Sequence, residues 1–163
     1  MLEKQFQIQF KRSVSMYCSD NGIDLYAYHK YPDTGIWQTP YDCHVRLPGR
    51  FLAFELKVNR LKTKFNFKEM FKNRYHEIQN LKRDKAMGDE AWVVIAWKVC
   101  GTWKIFAVTP GQADHYYRNG SIDAEDMTCI ELNRKRNDFT NELLFDLTPL
   151  MNGFQKKEDN PDS

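Results

Sequence analysis

The order of predicted elements is helix, three strands, helix, two strands and helix, which predicts an α/β domain with a mixed central sheet flanked by helices. Two stretches of the 163-residue chain carry this prediction. Residues 91–97 are apolar without interruption, which is typical of a strand buried on both faces. Residues 42–57 hold two apolar runs separated by Pro48-Gly49, which indicates a hairpin. We expect a single domain over residues 1–150, whose core is supplied in part by 11 Phe, 8 Tyr and 4 Trp.

The first predicted element is an amphipathic helix over residues 3–20. Phe6, Phe10, Val14 and Tyr17 keep helical spacing, and Asn21-Gly22 ends the pattern. A short strand over residues 23–28 and a loop over residues 29–35, marked by proline and glycine, follow.

The elements after the hairpin are also predicted from periodicity and capping. One helix is expected from Asn66 or Phe67 to about Met87, and strands over residues 91–97 and 103–108. Thr109 and Pro110 suit the cap and first turn of a helix that ends at residues 119–120. The chain beyond Leu150 passes through Phe154 into a charged stretch without further apolar anchors, so we expect residues 151–163 to be a disordered tail.

Composition excludes several classes of protein. No run of 18 apolar residues is present, and the first residues lack the apolar core of a signal peptide, so we expect a soluble cytoplasmic protein that needs no membrane. The 4 cysteines form no Cys-x-x-Cys pair, which argues against a zinc site or a disulfide framework.

The hairpin carries the candidate site. Alternation places Asp42 on one face of the first strand, and Glu55 and Lys57 on one face of the second. Carboxylates on adjoining strands suit Mg²⁺, and the backbone carbonyl of Leu56 would add a third ligand. An exposed Glu-Lys ion pair would explain the same pattern, but residues 51–54 are all apolar, and a carboxylate at the end of a buried strand needs a partner.

Residues 57–85 contain ten Lys or Arg against three acids. Such a cluster attracts polyanions, although a solvated helix face would look the same in the sequence. We predict that this segment and the loop before the hairpin contact a nucleic acid, and the predicted contacts are Lys30, Arg60, Lys62, Thr63, Lys64, Lys68 and Lys72.

Three motifs together resemble a known family. Pro40-Tyr41-Asp42, Glu55-Leu56-Lys57 and the trailing Lys62-Thr63-Lys64-Phe65 are similar to the pattern of the PD-(D/E)XK nucleases, and among them to RecU-type Holliday junction resolvases. The resemblance covers residues 42–97. It implies a restriction-endonuclease-like fold, with Asp42 and Glu55 as ligands of Mg²⁺, or of Mn²⁺ as a substitute, and Lys57 as the catalytic lysine.

The family also places a polar residue of the next helix near the metal. Glu77 and Gln79 both match in this sequence, and we favour Gln79; His76 would contact phosphate or serve a structural role. An acid on the first helix assists some relatives, which makes Glu3 a candidate, although helix capping is the simpler role.

The resemblance implies a metal-dependent DNA endonuclease, and we favour a resolvase that cuts branched DNA as a homodimer during recombination and repair. Residues 21–42 are too few for the stalk of RecU-type enzymes, so a compact member without it is expected. Three alternatives stay open: a nuclease of the same superfamily that cuts ordinary duplex, a non-catalytic nucleic-acid-binding module, and an α/β domain whose Glu-x-Lys is incidental.

Overall fold

The computed structural model describes residues 1–32 and 39–152. Its helices are α1 (Glu3–Asp20), α2 (Phe67–Met70), α3 (Tyr75–Ala86), α4 (Pro110–Asn119) and α5 (Thr148–Met151). Its strands are β1 (Ala27–Lys30), β2 (Cys43–Leu47), β3 (Arg50–Asn59), β4 (Lys64–Asn66), β5 (Glu90–Val99), β6 (Thr102–Val108), β7 (Ser121–Asp123), β8 (Ile130–Leu132), β9 (Arg134–Arg136) and β10 (Leu143–Phe145).

Six of the strands form one mixed sheet in the order β1-β2-β3-β5-β6-β8. The central pair, β3 and β5, is parallel, and the other neighbours are antiparallel. A parallel pair needs a crossover connection, and here α2 and α3 lie within it. The predicted α/β class with a mixed central sheet is therefore confirmed.

Each face of the sheet is covered by helices. On one face the apolar stripe of α1 packs on β3, where the rings of Phe10 and Phe54 lie 4.9 Å apart. On the other face Ile78 and Leu81 of α3 pack with residues of β3 and β5, among them Val93. Two-sided burial explains why β5 is apolar along most of its length.

Several predicted elements match the structure closely. Helix α1, the hairpin of β2 and β3, and strands β5 and β6 lie where they were predicted. Thr109 caps α4 as predicted, because its side chain accepts a hydrogen bond from the backbone N–H of Gln112 at 3.2 Å.

None of the described helices is both long and apolar enough to cross a membrane. The predicted tail over residues 151–163 begins too early, because Met151 is the last residue of α5 and is fully buried in the core. From residue 153 onward the predicted tail lies outside the described residues.

The predicted strand over residues 23–28 is displaced toward the C-terminus. Ile23 lies in the turn that closes α1, since its backbone N–H donates to the carbonyl of Cys18 at 2.8 Å. Pairing with β2 begins only at Ala27 and continues to Lys30. His29 and Lys30, which were predicted to start a loop, are therefore strand residues.

The single helix predicted from residue 66 or 67 to residue 87 is wrong. Asn66 caps α2, but the helix ends at Met70, and α3 begins only at Tyr75. Asn73 lies between them with φ at 61°, a left-handed conformation that Asn tolerates better than most residues. The periodicity did not reveal the break because buried apolar side chains continue on both sides of it.

The sequence analysis assigned no element after α4. The structure has four short strands there, β7 to β10, a 3₁₀ turn over Ala124–Asp126 and helix α5. Each of these strands is three residues long, too short for a period of two to stand out.

Candidate metal centre

The centre lies where the hairpin ladder ends. Asp42 immediately precedes β2, and β2 pairs with β3 from Cys43 onward. The backbone N–H of Asp42 donates to Glu55 Oε2 at 3.0 Å, and the carboxylate of Asp42 accepts the backbone N–H of Leu56 at 2.8 Å. The two predicted ligands are thus locked to each other through the main chain.

Lys57 holds the second carboxylate and a third one. Its ammonium lies 3.1 Å from Glu55 Oε1 and 3.3 Å from Glu77 Oε1. Both glutamates are 1% exposed and Lys57 is 4% exposed, so the pair of contacts is shielded from water. The ring of Phe71 covers the ammonium at 4.9 Å. A buried ammonium between two buried carboxylates is a specific arrangement, unlike the exposed pair considered above.

Asp42, Glu55 and Glu77 together present one carboxylate oxygen each within 4.8 Å of the others. One ammonium, that of Lys57, cannot neutralise three carboxylates, so the group carries excess negative charge when all four are ionised. Burial and the neighbouring acids raise the pKa of Glu55 well above its ordinary value, and burial raises the pKa of Asp42. The centre therefore favours an added proton or a cation.

Burial alone would lower the pKa of Lys57, but the carboxylates of Glu55 and Glu77 outweigh it and raise that pKa. The lysine stays charged as a result.

The donor set fits a hard divalent ion. Oxygens bound to Mg²⁺ lie about 2.1 Å from it and thus at most about 4.2 Å from each other, so oxygens within 4.8 Å need only a small closure. Leu56 is also placed suitably. In a strand the N–H and C=O of one residue project to the same edge, and the N–H of Leu56 faces Asp42.

The structure brings Glu77, and not Gln79, to the centre. Gln79 is exposed, because residues two apart on α3 project to nearly opposite sides. His76 is half-buried next to Glu77. Glu77 was the less favoured of the two predicted residues. Its burial beside Lys57 distinguishes it from the exposed Gln79.

Helix α1 contributes Gln7, which the sequence analysis missed. Its side-chain amide lies 3.3 Å from Asp42 Oδ1. In the sequence, Gln7 borders the apolar stripe that contains Phe6 and Phe10. That position was the one sign that its side chain could reach the sheet. Glu3, the predicted assistant, is exposed in the first turn of α1 and is not one of the three clustered carboxylates within residues 1–32 and 39–152.

Every predicted DNA contact is exposed. Lys30 pairs with Cys43 beside Asp42, and Arg60 borders two clefts of about 290 and 560 Å³ at the end of β3 that follows Lys57. The others lie in the connection after β3, at the start of β4, in α2 and at the helix break, and these are Lys62, Thr63, Lys64, Lys68 and Lys72.

A second acidic group, formed by Asp123, Glu125 and Asp126, lies on the surface. All three residues are exposed, so water hydrates these carboxylates and the group needs no bound ion.

Comparison with protein-family models gives no match, and comparison with the sequences of curated proteins gives none either.

Proposed function

We propose that the protein is a metal-dependent DNA endonuclease with a restriction-endonuclease-like fold. The observation that carries the proposal is the juxtaposition of Asp42, Glu55 and Glu77 around Lys57 at the end of a buried hairpin. Two buried carboxylates and a half-buried one with a single ammonium destabilise the fold unless a cation or protons compensate them, so a purely structural origin is a poor explanation. The order of strands around the parallel pair also suits this fold.

In the proposed site Asp42, Glu55 and the carbonyl of Leu56 hold Mg²⁺, and Mn²⁺ can replace it. The bound ion supplies an activated water and offsets charge on the phosphate. Lys57 orients the attacking water or balances the charge that develops on the phosphate oxygens. Glu77 holds the ammonium in position, and Gln7 orients the carboxylate of Asp42 through their hydrogen bond.

The basic residues bind the DNA backbone. Arg60 and Lys62 border a cleft of about 560 Å³ beside the end of β3, where a phosphate chain can contact both side chains. Because each contact releases a counterion, affinity for DNA falls steeply with added salt.

The substrate we favour is branched DNA, cut as a Holliday junction resolvase cuts it, with symmetric nicks made by a homodimer. A nuclease that cuts ordinary duplex, and a module that binds nucleic acid without cutting it, are the competing outcomes. Cleavage of a labelled four-way junction and of its linear arms, with Mg²⁺, Mn²⁺ or EDTA, separates all three.

The same assay tests the site. We expect Asp42→Asn and Lys57→Ala each to abolish Mg²⁺-dependent cleavage while binding to DNA persists. The matched control is Asp126→Asn in the exposed acidic group, which should cut like the wild type. If the wild-type protein cuts no DNA with either ion, the proposal that it is a nuclease is wrong.

A further inference from the structure

The face of the sheet that carries the acidic centre continues beyond it along the hairpin. Residues directly opposite each other in an antiparallel pair share a face. Asp42 and Glu55 lie just beyond the end of this pairing and are joined by the hydrogen bond from the N–H of Asp42, and His44 faces Ala53 two residues further along β2. Arg46 faces Phe51 after two more residues, and each step of two residues is about 6.8 Å.

This continuation is lined by rings. His29 stacks on His44 with ring centroids 4.9 Å apart, and His44 lies 4.6 Å from the ring of Phe51. Tyr31 meets both histidines edge-on, and its hydroxyl lies 3.1 Å from His44 Nδ1. Helix α3 packs on β3 and β5, and the outer end of the ring row stays accessible, with His29 exposed.

The row ends in a groove of about 550 Å³ at the hairpin turn. Its lining combines apolar and aromatic side chains with two arginines and one aspartate. The side chains that give the groove this character are Leu25, Tyr26, Pro48, Phe51, Arg46, Arg50 and Asp89.

The two arginines of the groove differ in their partners. The guanidinium of Arg46 lies over the ring of Phe51 at 5.4 Å and has no carboxylate partner among the residues that the structure describes. Arg50, the neighbouring arginine, is held by Glu90 through two hydrogen bonds of 2.6 and 2.8 Å. The groove therefore offers rings for stacking and, among the described residues, one guanidinium without an ion-pair partner, with the carboxylate of Asp89 also in the lining. Rings beside a guanidinium are the chemistry of a site for an unpaired nucleotide.

We propose that the groove lined by Tyr26, Phe51 and Arg46 binds an unpaired base of the DNA strand whose phosphate lies at the acidic centre. Phe51 and Tyr26 contact the base, and Arg46 contacts the adjoining phosphate. Arg46 lies about 14 Å along β2 from Asp42, so the unpaired base is a short distance along the strand from the cut. This inference rests on the proposed function for the choice of DNA as the ligand.

The test measures binding without cleavage. Fluorescence anisotropy in EDTA compares a labelled oligothymidine with a strand of the same length in which the sugars carry no bases. We expect the wild-type protein to bind the oligothymidine about tenfold tighter or more. Phe51→Leu, which keeps an apolar side chain but removes the ring, should lose most of that preference and bind the abasic strand as before.

Two arginine variants separate charge from stacking. Arg46→Ala should weaken binding to both strands by a similar factor. Arg12→Ala is the matched control, because Arg12 lies on α1 at the opposite face of the sheet and pairs at the surface with Glu142. It should leave both affinities unchanged.

Equal wild-type affinity for the two strands, or a base preference that survives Phe51→Leu in a folded variant, overturns the inference. If Phe51→Leu does not fold, as judged by circular dichroism, Tyr26→Leu and the wild-type comparison decide. If the protein cuts DNA with Mg²⁺ but lacks the base preference, the proposed function stands and the base-binding site is rejected. If it shows the preference but never cuts DNA, the base-binding site stands and the nuclease function is rejected.

Discussion

The carboxylate of Asp42 accepts the backbone N–H of Leu56 at 2.8 Å, so the residue just before β2 is fastened to the middle of β3. The reverse contact, from the N–H of Asp42 to Glu55, closes a reciprocal pair. One side chain thus has a structural role, closing the hairpin, and a proposed chemical role, binding a metal. Substitutions that keep one role and remove the other separate them.

Asp42→Asn keeps an oxygen that can accept the N–H of Leu56 and removes a negative charge from a crowded group. We expect cleavage to fall by 100-fold or more, while the free energy of unfolding stays within about 1 kcal/mol of the wild type or rises. Urea denaturation and the junction assay check the two halves. Asp42→Ala is the comparison, because it leaves the N–H without an acceptor and should cost about 1–3 kcal/mol. Equal stability of the two variants would refute the structural role.

Lys57→Met leaves Glu55 and Glu77 buried without their counter-charge. We expect a loss of about 3–5 kcal/mol in unfolding free energy at pH 8, measured by urea denaturation in EDTA. The loss should shrink at pH 5, where the carboxyls take up protons. Lys82→Met is the control: Lys82 also contacts an acid, Asp114 at 2.6 Å, but its side chain is 44% exposed, so the cost should stay below about 1 kcal/mol. Similar costs for both lysines would contradict the buried arrangement.

The raised pKa values of Asp42 and Glu55 give stability a definite pH dependence. The folded protein holds these protons more tightly than the unfolded chain, so their stabilising effect is complete below about pH 4 and is lost as pH rises through the raised values. Mg²⁺ competes with those protons. Its stabilising effect on thermal unfolding should therefore be larger at pH 8 than at pH 5.

Titration of Asp114 does not change the stability between pH 5 and pH 8. Burial alone would raise its pKa, but hydrogen bonds from Lys82, Tyr75 and Arg118 lower it, so its contribution is lost only below about pH 4. The Asp42→Asn, Glu55→Gln double variant should show almost no Mg²⁺ effect at either pH. Stabilisation by Mg²⁺ that persists in this variant would place the ion elsewhere.

Glu77→Gln and Gln79→Ala decide which residue of α3 serves the centre. Glu77→Gln keeps the shape but removes one carboxylate beside Lys57, so we expect the Mg²⁺ concentration that gives half-maximal cleavage to rise tenfold or more. Gln79→Ala changes an exposed side chain and should leave that concentration unchanged. The opposite result would restore the choice favoured by the sequence.

The proximity of Asp42, Glu55 and Lys57 was predictable because it depends on interactions between residues that are close in sequence. The Pro48-Gly49 turn sets the register of the hairpin, and a period of two sets the face. Glu77 was not predictable with the same force, because its direction depends on where α3 begins. That start follows a left-handed residue, Asn73, which periodicity cannot detect.

The contact of Gln7 with Asp42 and the short strands after α4 depend on long-range packing. A sequence shows that one face of α1 is apolar, but not the rotation that brings the edge of that face to the hairpin. For β8, pairing with β6 determines the strand, and three residues carry too little pattern to reveal it.

The break between α2 and α3 is itself testable. Asn73→Ala places an alanine at φ 61° and should cost about 1 kcal/mol in unfolding free energy, whereas Asn73→Gly should stay within about 0.5 kcal/mol. Denaturation with urea measures both. Lys72→Ala is the neighbouring control, since Lys72 has no positive φ, and it should change stability by less than about 0.5 kcal/mol. A harmless Asn73→Ala would mean that this residue does not set the break.

Lys57 stands two residues after Glu55 on the same strand, whereas Glu77 arrives from a helix twenty residues later. As the chain leaves the ribosome, the hairpin therefore emerges with its own positive charge already beside the first two carboxylates. When α3 docks, the carboxylate of Glu77 meets an ammonium that is already in place. The order of residues along the chain thus spares the nascent protein a stage in which three carboxylates crowd together without a counter-charge.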